Sequence, residues 1–380
     1  MNYLQEFLHW YYDEFQTTEL YQSLTTVREG SPHHQERSVA AHTDMVVSYY
    51  CALAGNNWGY EDVFGAFACA FHDVGKVSAM HLKEGEKDRY TFHGHEKSSA
   101  RLWEDWAVKN FRMLEERFGF LPNDIYRIGW MIQSHLIIPL SNLRKTKRSH
   151  FVKTLCSLFH KRSVFYNFIL ADSLGRKCEN NKNEYTNNWI YECQQFCMVN
   201  DNETCSSQHL RDFTPVLYVL IGPQACGKST HAKGLSYESQ IYSWDDLRMK
   251  WYISDEERIQ NPKDLYTLAY ERQLEDDDFN SKADKVFMDL VRERKNIILD
   301  NTNYTKARRS TYVNAAQQAG YRLVAILFPI SIEELFKRHH ERKDKFIPWG
   351  AVMRMYMGLE LPQYGEFHDI YVEKKNLPQD

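Results

Sequence analysis

Gly222-Pro-Gln-Ala-Cys-Gly227-Lys228-Ser229 fits the spacing GxxxxGK[ST] and directly follows the apolar run Leu217-Tyr-Val-Leu-Ile221. An apolar strand, a glycine loop and a helix start, in that order, make a cradle for phosphates. Gly222 and Gly227 let backbone N–H groups face an anion, and the helix expected from Lys228 adds its positive end. Ser229, with Thr230 beside it, is placed to ligate magnesium, and Lys228 to neutralise β and γ phosphates. The chemistry is binding of ATP or another NTP with Mg2+. A chance match in a glycine-rich turn is the bland alternative, and the order of elements argues against it.

A phosphate cradle does not name the acceptor. Ile241-Tyr-Ser-Trp-Asp245-Asp246-Leu-Arg248 sets a carboxylate at the end of an apolar run and an arginine one helical turn later. Transfer to a hydroxyl needs a carboxylate near the attacking oxygen and a cation that holds the acceptor in line. Asp245 and Arg248 supply that pair, or else they are a helix cap and a surface arginine. Asp300, closing the apolar run in Ile297-Ile-Leu-Asp300-Asn-Thr-Asn303, suits the magnesium shell and the capping of a following helix equally well. In Glu333-Glu-Leu-Phe-Lys-Arg338-His-His-Glu-Arg342 two arginines fall on one face of a helix. Such a pair is usually solvated surface. Its place after the last core strand favours a lid that closes over the triphosphate and stabilises the charge of transfer.

A second constellation comprises His42, the doublet His72-Asp73, His95, His135 and Asp172. Adjacent residues on a helix project about 100° apart, so His72 and Asp73 reach one ion only near a helix end or an irregular turn. Gly75, in Phe71-His72-Asp73-Val-Gly75-Lys76, is expected to provide that break. Imidazole and carboxylate donors suit first-row transition metals, and this set suffices for one or two divalent ions sharing Asp73. Two such ions generate hydroxide and hold a phosphate for in-line attack. Lys76 and Arg176 would neutralise phosphate oxygens. One histidine of the set would be an ordinary core or surface residue; the ordered series carries the reading. His93 is close enough to His95 to leave that ligand open, and His33, His34 and His81 have no place in the pattern.

These residues need two scaffolds. From Tyr3 to about Cys197 apolar residues recur at three and four, as in Val63, Phe64, Phe67, Ala68 and Phe71, which predicts an all-α domain over 1–198. Polar residues from Val199 to Arg211 have linker chemistry, placing a linker at 199–213. Past Pro215 short β-rich runs, Val216–Ile221, Gln240–Ser243, Asn296–Leu299 and Arg322–Phe328, alternate with amphipathic helices. That pattern predicts an α/β domain over 214–380 with a parallel sheet covered on both faces.

A length of 380 residues with 43% hydrophobic and 26% charged residues supports two cores and excludes a disordered chain. A net charge of -4 argues against binding duplex nucleic acid through bulk electrostatics. The clusters Arg144, Lys145, Lys147, Arg148 and Lys337 to Lys345 leave room for local steering of a strand. With no leader and no apolar run of about 20 residues, the expectation is a reduced, cytoplasmic protein with no membrane partner. Cys193, Cys197 and Cys205 match no zinc spacing.

Residues 216–364 resemble the 5′-polynucleotide kinase family of phage RNA-repair and bacterial end-healing enzymes. The likeness rests on the phosphate loop, Asp245 and Arg248, the Asp300-Asn-Thr-Asn303 strand end, and Lys337-Arg338-His-His-Glu-Arg342 followed by Phe346-Ile-Pro348 and Met353-Arg-Met-Tyr356. It implies Asp245 as general base for a 5′-hydroxyl, Arg248 at the acceptor nucleotide's phosphate, and Arg338 and Arg342 as lid residues at the nucleotide phosphates. The aspartate-nucleophile phosphatase usual in that family is expected to be missing, because the sequence stops at Asp380.

Residues 30–180 resemble the HD phosphohydrolase superfamily, with H…HD…H…H…D intact through Phe92-His-Gly-His95-Glu, Ile132-Gln-Ser-His135 and Ala171-Asp172-Ser-Leu-Gly. Together the halves resemble HD-Pnk end-healing enzymes. The resemblance implies phosphorylation of RNA 5′-hydroxyl ends, leaves acceptance of DNA 5′ ends open, and implies removal of 2′,3′-cyclic phosphate or 2′/3′-phosphate by the first half. A separate RNA ligase is the implied downstream partner. Two rivals stay open: an HD nucleotidase or cyclic-nucleotide phosphodiesterase fused to a small-metabolite kinase, and a regulatory ATP switch that phosphorylates nothing.

Overall fold

Helical periodicity in the first half produces a bundle around one helix that is apolar on every side. The helices that carry site residues are α1 (Val39–Ala54), α2 (Tyr60–Phe71), α3 (His95–Lys109), α4 (Pro122–Gln133) and α5 (Ser163–Leu174). Every residue of α2 from Glu61 to Phe71 is buried, as an all-round apolar helix requires. Gly65 makes this packing feasible, since a Cβ there would lie 2.1 Å from the Tyr50 hydroxyl. That hydroxyl instead donates to the Asp62 carbonyl at 2.9 Å. The start of α2 is held by charge: Asp62 accepts from the Gly59 N–H at 2.8 Å and pairs with Lys161 at 2.7 Å. Phe67 and Phe71 of this helix meet Trp10, Phe15, Trp103 and Trp106 in tilted and edge-on ring contacts, and Trp10 stacks on Phe15.

The structure, a computed structural model, describes residues 2–28, 38–82, 90–136, 151, 154–177, 191, 215–260, 265–342, 345, 347–363 and 365–378. It divides into two units, Met1–Ser206 and Ser207–Asp380. The linker expected at 199–213, the cysteines Cys193, Cys197 and Cys205, and the cluster Arg144 to Arg148 lie outside the described residues. The first unit is mostly helical but not all-α. His81–Leu82 and Tyr90–Thr91 form a two-stranded antiparallel ladder. Strands of two residues are too short to show alternation in a sequence.

The second unit is a five-stranded sheet of β1 (Val216–Ile221), β2 (Gln240–Tyr242), β3 (Ile297–Leu299), β4 (Arg322–Leu327) and β5 (Asp369–Val372). Their order is β2-β3-β1-β4-β5, and every pairing is parallel. Around it lie α6 (Lys228–Leu235), α7 (Trp244–Tyr252), α8 (Leu265–Leu274), α9 (Phe279–Arg292), α10 (Lys306–Gln318), α11 (Ile332–Glu341) and α12 (Trp349–Met357). Ile297, Ile298 and Leu299 are all fully buried, the continuous apolar run of a strand covered on both faces.

Strand limits differ from the sequence expectation by single residues, for local reasons. β2 stops at Tyr242 because Ser243 caps α7, its side chain accepting from the Asp246 N–H at 3.3 Å. Asn296 spends its side chain on the Val216 N–H, at 2.9 Å, instead of extending β3. The edge strand β5 was not expected at all; it is four residues long, with Tyr371 exposed. The chain leaves β1 for β2, returns beside β1 as β3, and crosses to β4. A crevice opens at the carboxyl ends of strands where direction reverses in this way.

Candidate functional site

In the first unit five segments converge on one point. His42 comes from α1, His72 caps the end of α2 with Asp73 next in a run of turns, and His95 opens α3. His135 lies just past α4, and Asp172 sits in the last turn of α5. All are buried. The four imidazoles share one arrangement. Their Nδ1 atoms lie 3.2 Å from Gly175 O (His42), 2.8 Å from Cys69 O (His72), 2.7 Å from Phe92 O (His95) and 2.7 Å from Ile132 O (His135). A carbonyl only accepts, so each Nδ1 carries the hydrogen, which leaves Nε2 as the inward-facing nitrogen that a metal can take.

Those Nε2 atoms face one another and two carboxylates. His42 and His72 Nε2 are 3.3 Å apart, and His95 and His135 Nε2 are 3.2 Å apart. Asp73 stands between the pairs, Oδ2 at 3.2 Å from His72 and Oδ1 at 3.2 Å from His95. Asp172 Oδ1 joins the first pair, 3.1 Å from His42. Asp73 Oδ1, buried, has no hydrogen-bond partner among the described residues. Imidazole nitrogens and carboxylate oxygens gathered in this way fit divalent cations, and the set splits into two groups, His42/His72/Asp73 and Asp73/His95/His135, sharing one carboxylate.

The electrostatics agree with ionised carboxylates, and they treat the imidazoles differently: against burial, Asp73 and Asp172 raise His72, whereas His135 is lowered. Burial opposes ionisation of Asp73 and Asp172, yet His72 and Lys76 hold the first well below the usual carboxylate range, and Arg176 and His42 hold the second there. Burial, helped by His95 and His72, pushes His135 down to about 3. Lys76 pairs with Asp73 Oδ2 at 2.8 Å and Arg176 with Asp172 Oδ2 at 2.5 Å. Both line a cavity of about 510 Å³ beside Tyr90 and Phe92. His93 is exposed at its rim, so the geometry places His95, not His93, in the cluster. Gly75 departs from expectation: its φ is -70°, ordinary helical backbone. Its role is close approach, because a Cβ there would lie 2.5 Å from His95 O and 2.6 Å from Ser99 N.

In the second unit a cavity of about 850 Å³ opens at the strand ends, lined by Gly227, Lys228, Ser229, Thr230, Asp245, Arg248, Asp300, Arg338 and Arg342 among others. The loop after β1 turns through positive φ at Ala225 (64°) and Gly227 (100°) before α6 starts at Lys228. Lys228 Nζ donates to Gly222 O at 2.8 Å and Pro223 O at 2.5 Å. Arg338 Nη1 lies 3.9 Å from where a Gly227 Cβ would stand and donates to Asn376 Oδ1 at 2.8 Å. Asn376 in turn donates to Cys226 O at 3.0 Å, tying α11 to the loop. The two arginines do not share a helical face as expected. α11 ends at Glu341, and Arg342 is its extended cap, with ψ 123°.

Both capping alternatives fail on geometry. Ser243, not Asp245, caps α7, and Thr305, not Asp300, caps α10. Arg248 is buried, its guanidinium set 5.4–5.7 Å from the ring centres of Trp244, Tyr270 and Phe279. It donates to Asp245 Oδ1 at 2.8 Å, as does the Tyr266 hydroxyl at 3.0 Å, while Lys345 Nζ donates to Oδ2 at 2.5 Å. Burial alone would raise Asp245, but Lys345 first and Arg248 next bring it below its ordinary value.

The profile of the AAA domain family matches residues 217–362. A putative bifunctional polynucleotide kinase/RNA ligase of Autographa californica nuclear polyhedrosis virus is 27% identical over 131 residues, 34% of this chain and 18% of its own. The L-seryl-tRNA(Sec) kinase of Methanococcus maripaludis is 24% identical over 147 residues, 39% of this chain and 53% of its own. Residues 217–362 form a P-loop kinase domain. The chain thus spans about half, or less, of the curated relatives it matches. A P-loop kinase uses ATP and magnesium. The kinase domain contains two cavity residues that sequence reading passed over as individuals, Tyr266 and Lys345. Lys345 was visible only as one charge in a basic cluster. Its contact with Asp245 spans 100 positions, which no local spacing displays.

Proposed function

We propose that this chain is a bifunctional RNA end-healing enzyme. The kinase domain phosphorylates 5′-hydroxyl ends with ATP. The first unit, an HD-type phosphohydrolase, removes 2′,3′-cyclic phosphate or 2′/3′-phosphate with one or two divalent transition-metal ions. The observation that carries it is an ionised carboxylate, Asp245, facing the same cavity as Lys228 and Arg338. A nucleotide-binding switch has no use for an acceptor-side base. In the reaction Asp245 takes the hydroxyl proton, the oxygen attacks the γ-phosphorus, and the bond to the bridging β-oxygen breaks to release ADP. Lys228, Arg338 and Arg342 offset the charge of the transferring group, and Arg248 anchors the acceptor's phosphate.

For the first unit, support comes from the inward-facing Nε2 atoms of His42, His72, His95 and His135 with Asp73 and Asp172. Bound ions would supply Lewis acidity and an activated water. Lys76 and Arg176 line the same cavity and bring the positive charge a phosphate needs. The name of the viral relative couples a polynucleotide kinase to an RNA ligase, in keeping with RNA ends and a downstream ligase. The archaeal relative favours a second reading, a serine hydroxyl carried on tRNA.

One experiment separates these readings. The protein is incubated with ATP, a panel of metals and an RNA bearing a 5′-hydroxyl and a 2′,3′-cyclic phosphate, and both ends are identified. Phosphate gained at the 5′ end and lost at the other supports end healing. Label appearing only on seryl-tRNA, nucleosides or small metabolites overturns it.

A further inference from the structure

Lys345 is a buried cation inside the kinase cavity, and its surroundings are specific. Its Nζ lies 2.5 Å from Asp245 Oδ2 and 3.9 Å from the centre of the Tyr266 ring. An ammonium is costly to bury without such partners. The two oxygens of Asp245 are used differently. Oδ1 accepts from both Arg248 and Tyr266, whereas Oδ2 accepts from Lys345 alone among the described residues. A carboxylate oxygen has two lone pairs, so Oδ2 keeps one for an incoming hydroxyl. Lys345 also follows Arg342 closely in the chain, just past the helix that carries Arg338.

We propose that Lys345 is a positioning residue of the kinase: it fixes Asp245 so that Oδ2 meets the acceptor hydroxyl, and it links that base to the arginine segment at the triphosphate. The proposal rests on the reading of Asp245 as base. In the step, the hydroxyl O–H bond breaks, its proton passes to Asp245 Oδ2, the O–Pγ bond forms, and the Pγ–O bond to ADP breaks. Burial lowers Lys345 from its ordinary value while Asp245 opposes that shift; as an ammonium the lysine gives up no proton in the step and favours return of Asp245 to the carboxylate form. Other groups around Asp245 are Arg248 and Asp246 on α7, Tyr266 on α8, Arg342 beyond α11, and Asp300 after β3. Lys345 is the largest charge effect lowering Asp245, so its removal moves the ionisation of the base upward.

The test compares the full chain with Lys345→Met and Lys345→Arg, following kcat/KM for a 5′-hydroxyl oligonucleotide across pH and KM for ATP. Lys345→Met is expected to lower kcat about 100-fold, to shift the acid limb to higher pH, and to leave KM for ATP within about twofold. Lys345→Arg is expected to recover most of the rate. An acid limb unmoved in Lys345→Met, or equal losses in both variants, overturns the proposal. If Lys345→Met does not fold, judged by ATP binding, Lys345→Arg decides alone: near wild-type rate supports it, and loss as deep as Asp245→Ala overturns it. Failure of the wild type on every 5′-hydroxyl end sinks the substrate reading instead, and the same comparison is then read on whichever hydroxyl takes the label.

Discussion

In the proposed reaction Asp245 concentrates the chemistry of the kinase domain in one side chain. Its carboxylate is held by three donors and kept ionised below its ordinary range. Asp245→Ala should reduce transfer about 10²–10⁴-fold, the usual worth of a positioned base. ATP binding should survive, since the phosphate loop is untouched; equilibrium binding of a fluorescent ATP analogue beside a transfer assay checks both. Retained transfer removes Asp245 as the base. Because the shift is downward, the base is active at neutral pH and is lost only as pH falls through its depressed pKa. At this scale the sequence was legible where chemistry is contiguous: the loop from Gly222 to Ser229, and Asp245 with Arg248 one turn apart. It was opaque for Tyr266 and Lys345, which meet Asp245 only through the fold.

Elements decide whether those side chains arrive. Arg309, fully buried on α10, donates to Glu366 at 2.5 and 2.9 Å, to Asn303 O at 3.2 Å and to Glu360 O at 3.0 Å. It thereby anchors the Asn301–Asn303 turn that lines the kinase cavity. Arg309→Ala leaves a buried carboxylate unpaired and should cost the second unit about 3–5 kcal/mol; chemical denaturation followed through that unit's tryptophans measures it. In the first unit Gly75→Ala would drive a methyl into the backbone at the start of α3. Overpacking of this kind costs about 1–3 kcal/mol and moves His95 away from Asp73. Reduced metal content per chain, read by elemental analysis, is the expected result, with kinase activity unchanged. The strands β1 to β4 were readable because apolar runs are bounded by turn residues. The edge strand β5, the two-residue ladder and the end of α11 at Glu341 were not, because each depends on pairing or on backbone torsion.

On the scale of the whole molecule, two units carry two candidate sites of different chemistry. Among the described residues no helix is long and apolar enough to cross a membrane. One site gathers imidazole nitrogens and carboxylate oxygens, a donor set for transition metals. The other offers a glycine loop whose N–H groups suit phosphate, with a serine and a carboxylate, oxygen donors that suit magnesium. The difference in donors predicts that the activities separate by metal as well as by mutation. Replacing His72 and Asp73 with alanine should abolish end-phosphate removal and spare transfer from ATP; joint loss of both would defeat a two-site enzyme. Exhaustive chelation should stop both activities. Magnesium alone should then restore only the kinase, while manganese, cobalt or nickel should restore phosphate removal, because the imidazole ligands bind those ions far better than they bind magnesium. Recovery of phosphate removal with magnesium alone would mean that the histidine cluster does not hold the working ion.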